Sequence, residues 1–204
     1  MKRERVLLMG NGPTALRSRV GRQVDEFEGL VARCNDAEVE GYQEFVGSRT
    51  DIWVTCLADY PFSYDRFNPS VIMASMPYTC NENAQKMWNR YSDETSNTEI
   101  EMWDMSWDRW KSVRNQIGHW PSTGSLAAYY FMDRGFDLHI HAFDHFQTDE
   151  HHYFDRTGFR RDHNADCEMT FFAKYYYRKH LQIWDQSSSP SSETLPFGVN
   201  RFSL

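Results

Sequence analysis

The sequence predicts one α/β domain, a three-layer α/β/α arrangement around a mainly parallel central sheet. Three observations lead there. Short apolar runs of strand length alternate with longer helical segments, the order that yields parallel strands joined by crossover helices. The first run, Arg5 to Met9, ends in Gly10-Asn11-Gly12-Pro13, a tight turn from which a helix can start. The 204 residues, 40% of them hydrophobic, suffice for one buried core, and no internal repeat marks a second unit.

Taken in order, the elements follow from apolar period and punctuation. Arg5 to Met9 reads as a buried strand, and Thr14 can cap a helix through about Val24. Leu30 to Cys34 and Asp51 to Cys56 read as further strands, with Gly47-Ser48-Arg49-Thr50 as the turn before the second. Val71 to Met76 is another apolar run. Ala84 to Tyr91 and Asp108 to Ile117 have helical character, with a strand at Glu99 to Trp103 between them. Ser122 or Thr123 caps a helix that runs to Arg134 and is stopped by Gly135. Phe136 to Phe143 alternates as a strand. Asn164 to His180 is the longest helical stretch, free of Gly and Pro. The domain is expected over 1–185, with the Ser- and Pro-rich segment 186–204 as a mobile tail.

Composition narrows the function classes. A net charge of -7 argues against a nucleic acid as partner, since phosphate backbones are met by basic surfaces. No run approaches the roughly 18 apolar residues that span a bilayer. After the charged Met1-Lys2-Arg3-Glu4-Arg5, only Val6 to Met9 precede a glycine, too short for a signal-peptide core. Cys34, Cys56, Cys80 and Cys167 show no paired spacing, so reduced thiols and a cytoplasmic location are expected. The aromatic share of 16% suits stacking on sugar or base rings as well as a plain aromatic core.

Two turns have the chemistry of anion sites. Gly10-Asn11-Gly12 follows a strand and opens a helix, where glycines let backbone approach a phosphate. A dinucleotide fingerprint is not complete, because Thr14 and Ala15 stand where its third glycine is expected. Pro121-Ser122-Thr123-Gly124 places two hydroxyls and a glycine at a helix start, with free N–H groups and the positive end of the dipole.

Read on from the first turn, Arg33-Cys34-Asn35, Val39-Glu40-Gly41-Tyr42 and Val46-Gly47-Ser48-Arg49-Thr50 follow in order. Pro121-Ser122-Thr123-Gly124, His151-His152-Tyr153-Phe154 and a His-x4-Glu of His163 and Glu168 come later. This succession resembles the large, small, third and very small sialylmotifs of the animal-type sialyltransferases, glycosyltransferase family 29. The resemblance covers about residues 5 to 180, with a divergent centre over residues 57 to 118, rich in Trp and Met. It implies the Rossmann-like, GT-A-like fold variant of that family and a CMP-linked donor such as CMP-sialic acid or CMP-Kdo. It also implies a glycan acceptor, shaped in part by the divergent centre, and inverting transfer without a metal or other cofactor. Asn11, Gly12 and Asn35 would hold the nucleotide. Ser122, Thr123 and Gly124 would hold the cytidine, phosphate or sugar carboxylate. Family members join the large and small motifs by a disulfide, whereas Val6 and Gly135 stand at the matching places here. That departure fits a cytosolic, microbial or viral chain.

The histidines carry the chemistry in this reading. His163 stands just before a helix, whose N-terminal field keeps an imidazole neutral and able to take a proton from an acceptor hydroxyl. Glu168 would tie the helix N-terminus in place. His152 would stabilise charge on the departing phosphate, and Tyr153 could share that task. The chain has no DxD motif of the kind that holds a cation for diphosphate leaving groups, and a monophosphate needs less neutralisation. Two other readings stand beside this one. His139, His141, Asp144 and His145 could serve a metal-dependent hydrolase, since a strand sets His139 and His141 on one face. A sugar-nucleotide-binding protein without transfer activity is the third.

Overall fold

The computed structural model describes residues 3–58, 64–144, 152–155 and 163–184. The predicted tail and His145 lie outside them. The described residues form one seven-stranded sheet in the order β5-β4-β3-β2-β1-β6-β7, every neighbouring pair parallel. The strands are β1 (Arg5–Met9), β2 (Leu30–Cys34), β3 (Ile52–Thr55), β4 (Val71–Ala74), β5 (Glu101–Trp103), β6 (Asp137–His141) and β7 (Leu181–Ile183). The expected α/β fold with a parallel sheet is borne out.

A sheet covered on both faces needs strands with continuous apolar runs, and Val6 to Met9 of β1 and Ile52 to Val54 of β3 supply them. Alternate residues of β1 serve different cores. Val6 and Leu8 face the layer of α4 (Trp107–Ile117), α5 (Thr123–Asp133) and α6 (Ala165–Tyr177). Leu7 and Met9 face α1 (Gly21–Asp25). Further along that face, Trp53, Ile72 and Ala74 pack under α3 (Glu82–Thr95). No helix among the described residues is long and apolar enough to cross a membrane.

The helix expected from Thr14 to Val24 is broken. A 3-10 turn at Pro13–Arg17 ends in extended backbone at Ser18, and α1 starts only at Gly21. Gly21 lies against the Gln43 carbonyl of α2 (Gln43–Val46), where an added Cβ would come within 1.8 Å of oxygen. That packing requires the chain to turn before the helix begins. Thr14 does not cap the turn by its own side chain. Its backbone N–H instead donates to Asp144 Oδ2 at 2.8 Å, and its hydroxyl donates to the other carboxylate oxygen. The short α2, a 3-10 turn at Tyr78–Cys80 and β7 lack a sequence period long enough to announce them.

The chain runs outward from β1 through β2 to β5, then returns to the other side of β1 as β6. A topological switch point therefore lies at the carboxyl ends of β1 and β6, the usual ligand crevice of such sheets. Met9 pairs with His141, so the turn after β1 and residues 142 to 144 after β6 leave the sheet side by side.

Candidate active site

The first turn is glycine-bound for a tertiary reason. Gly10 N–H donates to His141 O at 2.8 Å and Gly12 N–H to Ala142 O at 3.1 Å, which continues the β1–β6 ladder past the strand ends. A Cβ on Gly10 would stand 2.3 Å from Ala142 O, and one on Gly12 2.5 Å from Asp144 Cγ. Neither glycine has positive φ, so close approach and not backbone freedom selects them. Gly10→Ala is expected to lower stability by about 1–3 kcal/mol, since backbone cannot yield as a flexible side chain can. The urea midpoint checks this, and donor binding should weaken with it.

The asparagines splice three segments together. Asn35 follows β2 in left-handed conformation, φ 50, a conformation Asn tolerates better than most residues. Its Oδ1 accepts from Cys56 N–H at 3.1 Å, and its Nδ2 donates to Thr123 Oγ1 at 3.3 Å, at the start of α5. Asn11 Nδ2 donates to Cys34 O at 3.2 Å. Its Oδ1 is buried without a hydrogen-bond partner, an acceptor held for a donor the protein does not supply.

The second turn is clamped from below. Ser122 is the N-cap of α5, its Oγ accepting from Ser125 N–H. Glu168 in α6, 2% exposed, accepts from Ser122 N–H at 2.6 Å, Ser122 Oγ at 2.6 Å and Ser125 Oγ at 2.7 Å. The carboxylate thus fixes the N-terminus of α5, a neighbouring helix and not its own. Charge-assisted bonds of this length are among the stronger ones in proteins. Ser122 already donates its hydroxyl to Glu168, so Thr123 and Gly124 are the members of this turn left to face a ligand. Gly124 is held to a glycine by Phe143, whose ring carbon would meet a Cβ at 2.7 Å.

His163 sits one residue before Asn164, the N-cap of α6, whose side chain accepts from Cys167 N–H at 3.0 Å. His163 Nδ1 lies 3.2 Å from Trp120 O. A carbonyl can only accept, so Nδ1 carries the hydrogen and the neutral ring has its lone pair on Nε2. That is the tautomer of a general base with its orienting partner in place. His152 stacks its ring on Phe154 at 5.1 Å. Tyr153 turns inward. Its backbone N–H donates to Asn11 O at 3.0 Å and its hydroxyl donates to Glu38 O, so it braces the first turn from the far side. Burial pushes its phenol well above the usual range, and it stays neutral.

Together these segments enclose a cavity of about 160 Å³. Gly10, Asn11, Gly12, Cys34 and Asn35 line one side, and Ser122, Thr123, Gly124, His163 and Glu168 another. Ala142, Phe143, Asp144 and His152 complete it. Every predicted site residue except Tyr153 reaches the cavity. Among the described lining residues there is no Lys or Arg, and the groups they offer an anion are helix N-termini, backbone N–H groups, amides and imidazoles. Asp144 and Phe143 were not foreseen as lining residues. The sequence marks Asp144 only as a candidate metal ligand, and Phe143 only as the end of a strand.

The described members of the hydrolase set, His139, His141 and Asp144, each have another partner, and His145 lies outside the described residues. His139 Nε2 faces Asp137 at 3.4 Å and its ring packs edge-on to Phe27, and burial lowers its pKa. His141 Nδ1 bonds Trp184 O at 3.0 Å. Asp144 holds Thr14. Among the described residues no group of three or more His, Cys, Asp or Glu side chains is placed to hold a metal ion.

Comparison with known proteins agrees with this geometry. No curated protein sequence matches the chain significantly. Residues 4–72 match the profile of glycosyltransferase family 29 (sialyltransferase), a span that takes in β1 to β3, the start of β4 and the whole first turn. Among solved structures, a mammalian sialyltransferase is similar over 89% of this chain and 68% of its own, with 20% identity and a TM-score of 0.65. The same TM-score, with 19% identity over 89% and 69% of the two chains, holds for a mammalian sialyltransferase in complex with Gal-beta-1-3GalNAc-ortho-nitrophenol. Residues 4–72 thus carry the sequence pattern of glycosyltransferase family 29, and the chain as a whole shares the fold of these two sialyltransferase structures.

Proposed function

We propose that the chain transfers a sialic acid, or a related CMP-linked acid sugar such as Kdo, from its CMP donor to a glycan hydroxyl. The observation that carries this reading is His163, held as the Nδ1–H tautomer by the Trp120 carbonyl at the edge of a cavity formed by two strand-to-helix turns. The acceptor hydroxyl gives its proton to Nε2 while its oxygen attacks the anomeric carbon. The bond from that carbon to the phosphate oxygen breaks, its electron pair leaves with CMP, and the configuration inverts. His152 stabilises the charge that develops on the leaving phosphate. Asn11, Gly12 and Asn35 hold the nucleotide, with the buried Asn11 Oδ1 as an acceptor for it. Thr123 and Gly124 meet the phosphate or the sugar carboxylate at the N-terminus of α5.

A monophosphate leaving group needs less neutralisation than a diphosphate, and the reaction is proposed to run without a metal. The test measures CMP release from CMP-sialic acid and from CMP-Kdo with a panel of glycan acceptors, with and without EDTA. Acceptor-dependent release that EDTA leaves unchanged is the expected result. Release that EDTA stops would refute metal independence. Donor bound without any release would favour a sugar-nucleotide-binding protein.

A further inference from the structure

Trp53 is the largest fully buried side chain among the described residues, and it does not line the cavity. Residues alternate along β3, so Ile52 and Val54 join the core of α4, α5 and α6 while Trp53 points to the opposite face. There it packs edge to face on Tyr91 of α3, 5.4 Å between centroids, and stacks on Phe67 at 6.5 Å. Tyr64 adds a third ring at 6.3 Å. The one polar atom of the indole reaches out of this aromatic cage. Trp53 Nε1–H donates to Asn35 O at 2.6 Å. Its acceptor is the backbone of the asparagine whose side chain is tied to Cys56 N–H and Thr123 Oγ1.

We propose that Trp53 is a positioning residue of the donor site, whose indole N–H fixes the Asn35 peptide and so holds the Asn35 amide at the cavity. This rests on the reading in which Asn35 holds the nucleotide. Asn35 has a left-handed backbone, φ 50, which a residue with a Cβ keeps only where its surroundings hold it. Three groups of the residue share that work. Asn35 N–H donates to Val54 O at 2.7 Å, its amide bridges Cys56 and Thr123, and its carbonyl accepts from Trp53. The bridge uses one lone pair of Oδ1 and one hydrogen of Nδ2, so one of each remains for a ligand. Without the indole donor the Asn35 carbonyl loses its partner, and the peptide turns to find another. The amide then leaves its place between Cys56 and Thr123. Tyr64, Phe67 and α3 lie within residues 57 to 118, so part of that divergent centre supports the donor site from behind.

The test is a double-mutant cycle on CMP affinity, measured by calorimetry for the native chain, W53F, N35G and the double variant. Phenylalanine keeps an aromatic ring and loses the N–H, while glycine accepts left-handed backbone and carries no amide. W53F is expected to weaken CMP binding about three- to tenfold, the usual net worth of one hydrogen bond. Added to N35G it should change affinity by less than about twofold, because the amide it positions is gone. A Trp53 that only fills the core would cost the same factor in both backgrounds, so equal factors overturn the proposal. Native CMP affinity in W53F overturns it too. Should a variant fail to fold or to bind, hydrogen exchange at the Trp53 indole N–H of the native chain decides. Saturating CMP should slow that exchange about threefold or more, and unchanged exchange refutes the role. Failure of the donor reading looks different. A native chain that binds no CMP sinks both ideas, whereas CMP bound with equal factors sinks only the role of Trp53.

Discussion

Replacing His163 by alanine is expected to lower acceptor-dependent CMP release by about a hundred- to ten-thousand-fold, the usual contribution of a positioned general base. The loss should fall on kcat more than on the KM for the donor, because the groups proposed to hold the nucleotide belong to other segments. His163→Gln should be nearly as slow, since an amide can hydrogen-bond the acceptor hydroxyl but cannot take its proton. His163 is the residue before the cap of α6, and its ring meets the fold at the Trp120 carbonyl. A thermal melt close to that of the native chain separates lost chemistry from lost fold. A variant that folds and releases CMP at the native rate would remove His163 from the role of base.

Glu168→Ala should act on both stability and activity. It strips one acceptor from three donors, Ser122 N–H, Ser122 Oγ–H and Ser125 Oγ–H, at a site that is 2% exposed. A buried donor left unsatisfied costs about 1–3 kcal/mol. The two hydroxyls lie 3.2 Å apart and can turn toward each other, which offsets part of the cost. A net loss of about 2–4 kcal/mol is expected, read from the urea midpoint. The N-terminus of α5 carries Thr123 and Gly124 into the cavity, so donor affinity should fall even where the variant is fully folded. Glu168→Gln keeps the shape and one carbonyl oxygen and should lie between. If the alanine variant kept native donor affinity under folding conditions, the clamp would be structural only.

The sequence made β1 to β6 legible because each is a short apolar run with a local stop, whereas the three residues of β7 gave no such signal. It also made the cap of α5 legible, since Ser122 bonds the N–H group three residues ahead of it. The motif residues were recognisable one by one from turn chemistry and from their family order. The tertiary structure decided what each of them does. Tyr153, expected near the phosphate, spends its hydroxyl on the Glu38 carbonyl. Glu168, expected to secure its own helix, secures α5. The helix expected after Thr14 breaks because Gly21 must lie against Gln43.

Trp53 stands in the sequence as one aromatic residue among many, and only the fold brings its indole N–H to the Asn35 carbonyl. The sequence by itself determined the α/β class, the two glycine-bearing turns and the identity of the candidate histidine base. The placing of Asp144 under Thr14, 130 residues away, and of Glu168 under Ser122, 46 away, belonged to the tertiary structure. The physical reason is range. Propensity, period and capping act over a few residues. Which carboxylate meets which turn depends on β6 returning to lie beside β1 and on α6 packing against α5, and neither neighbourhood is set by residues close in the chain.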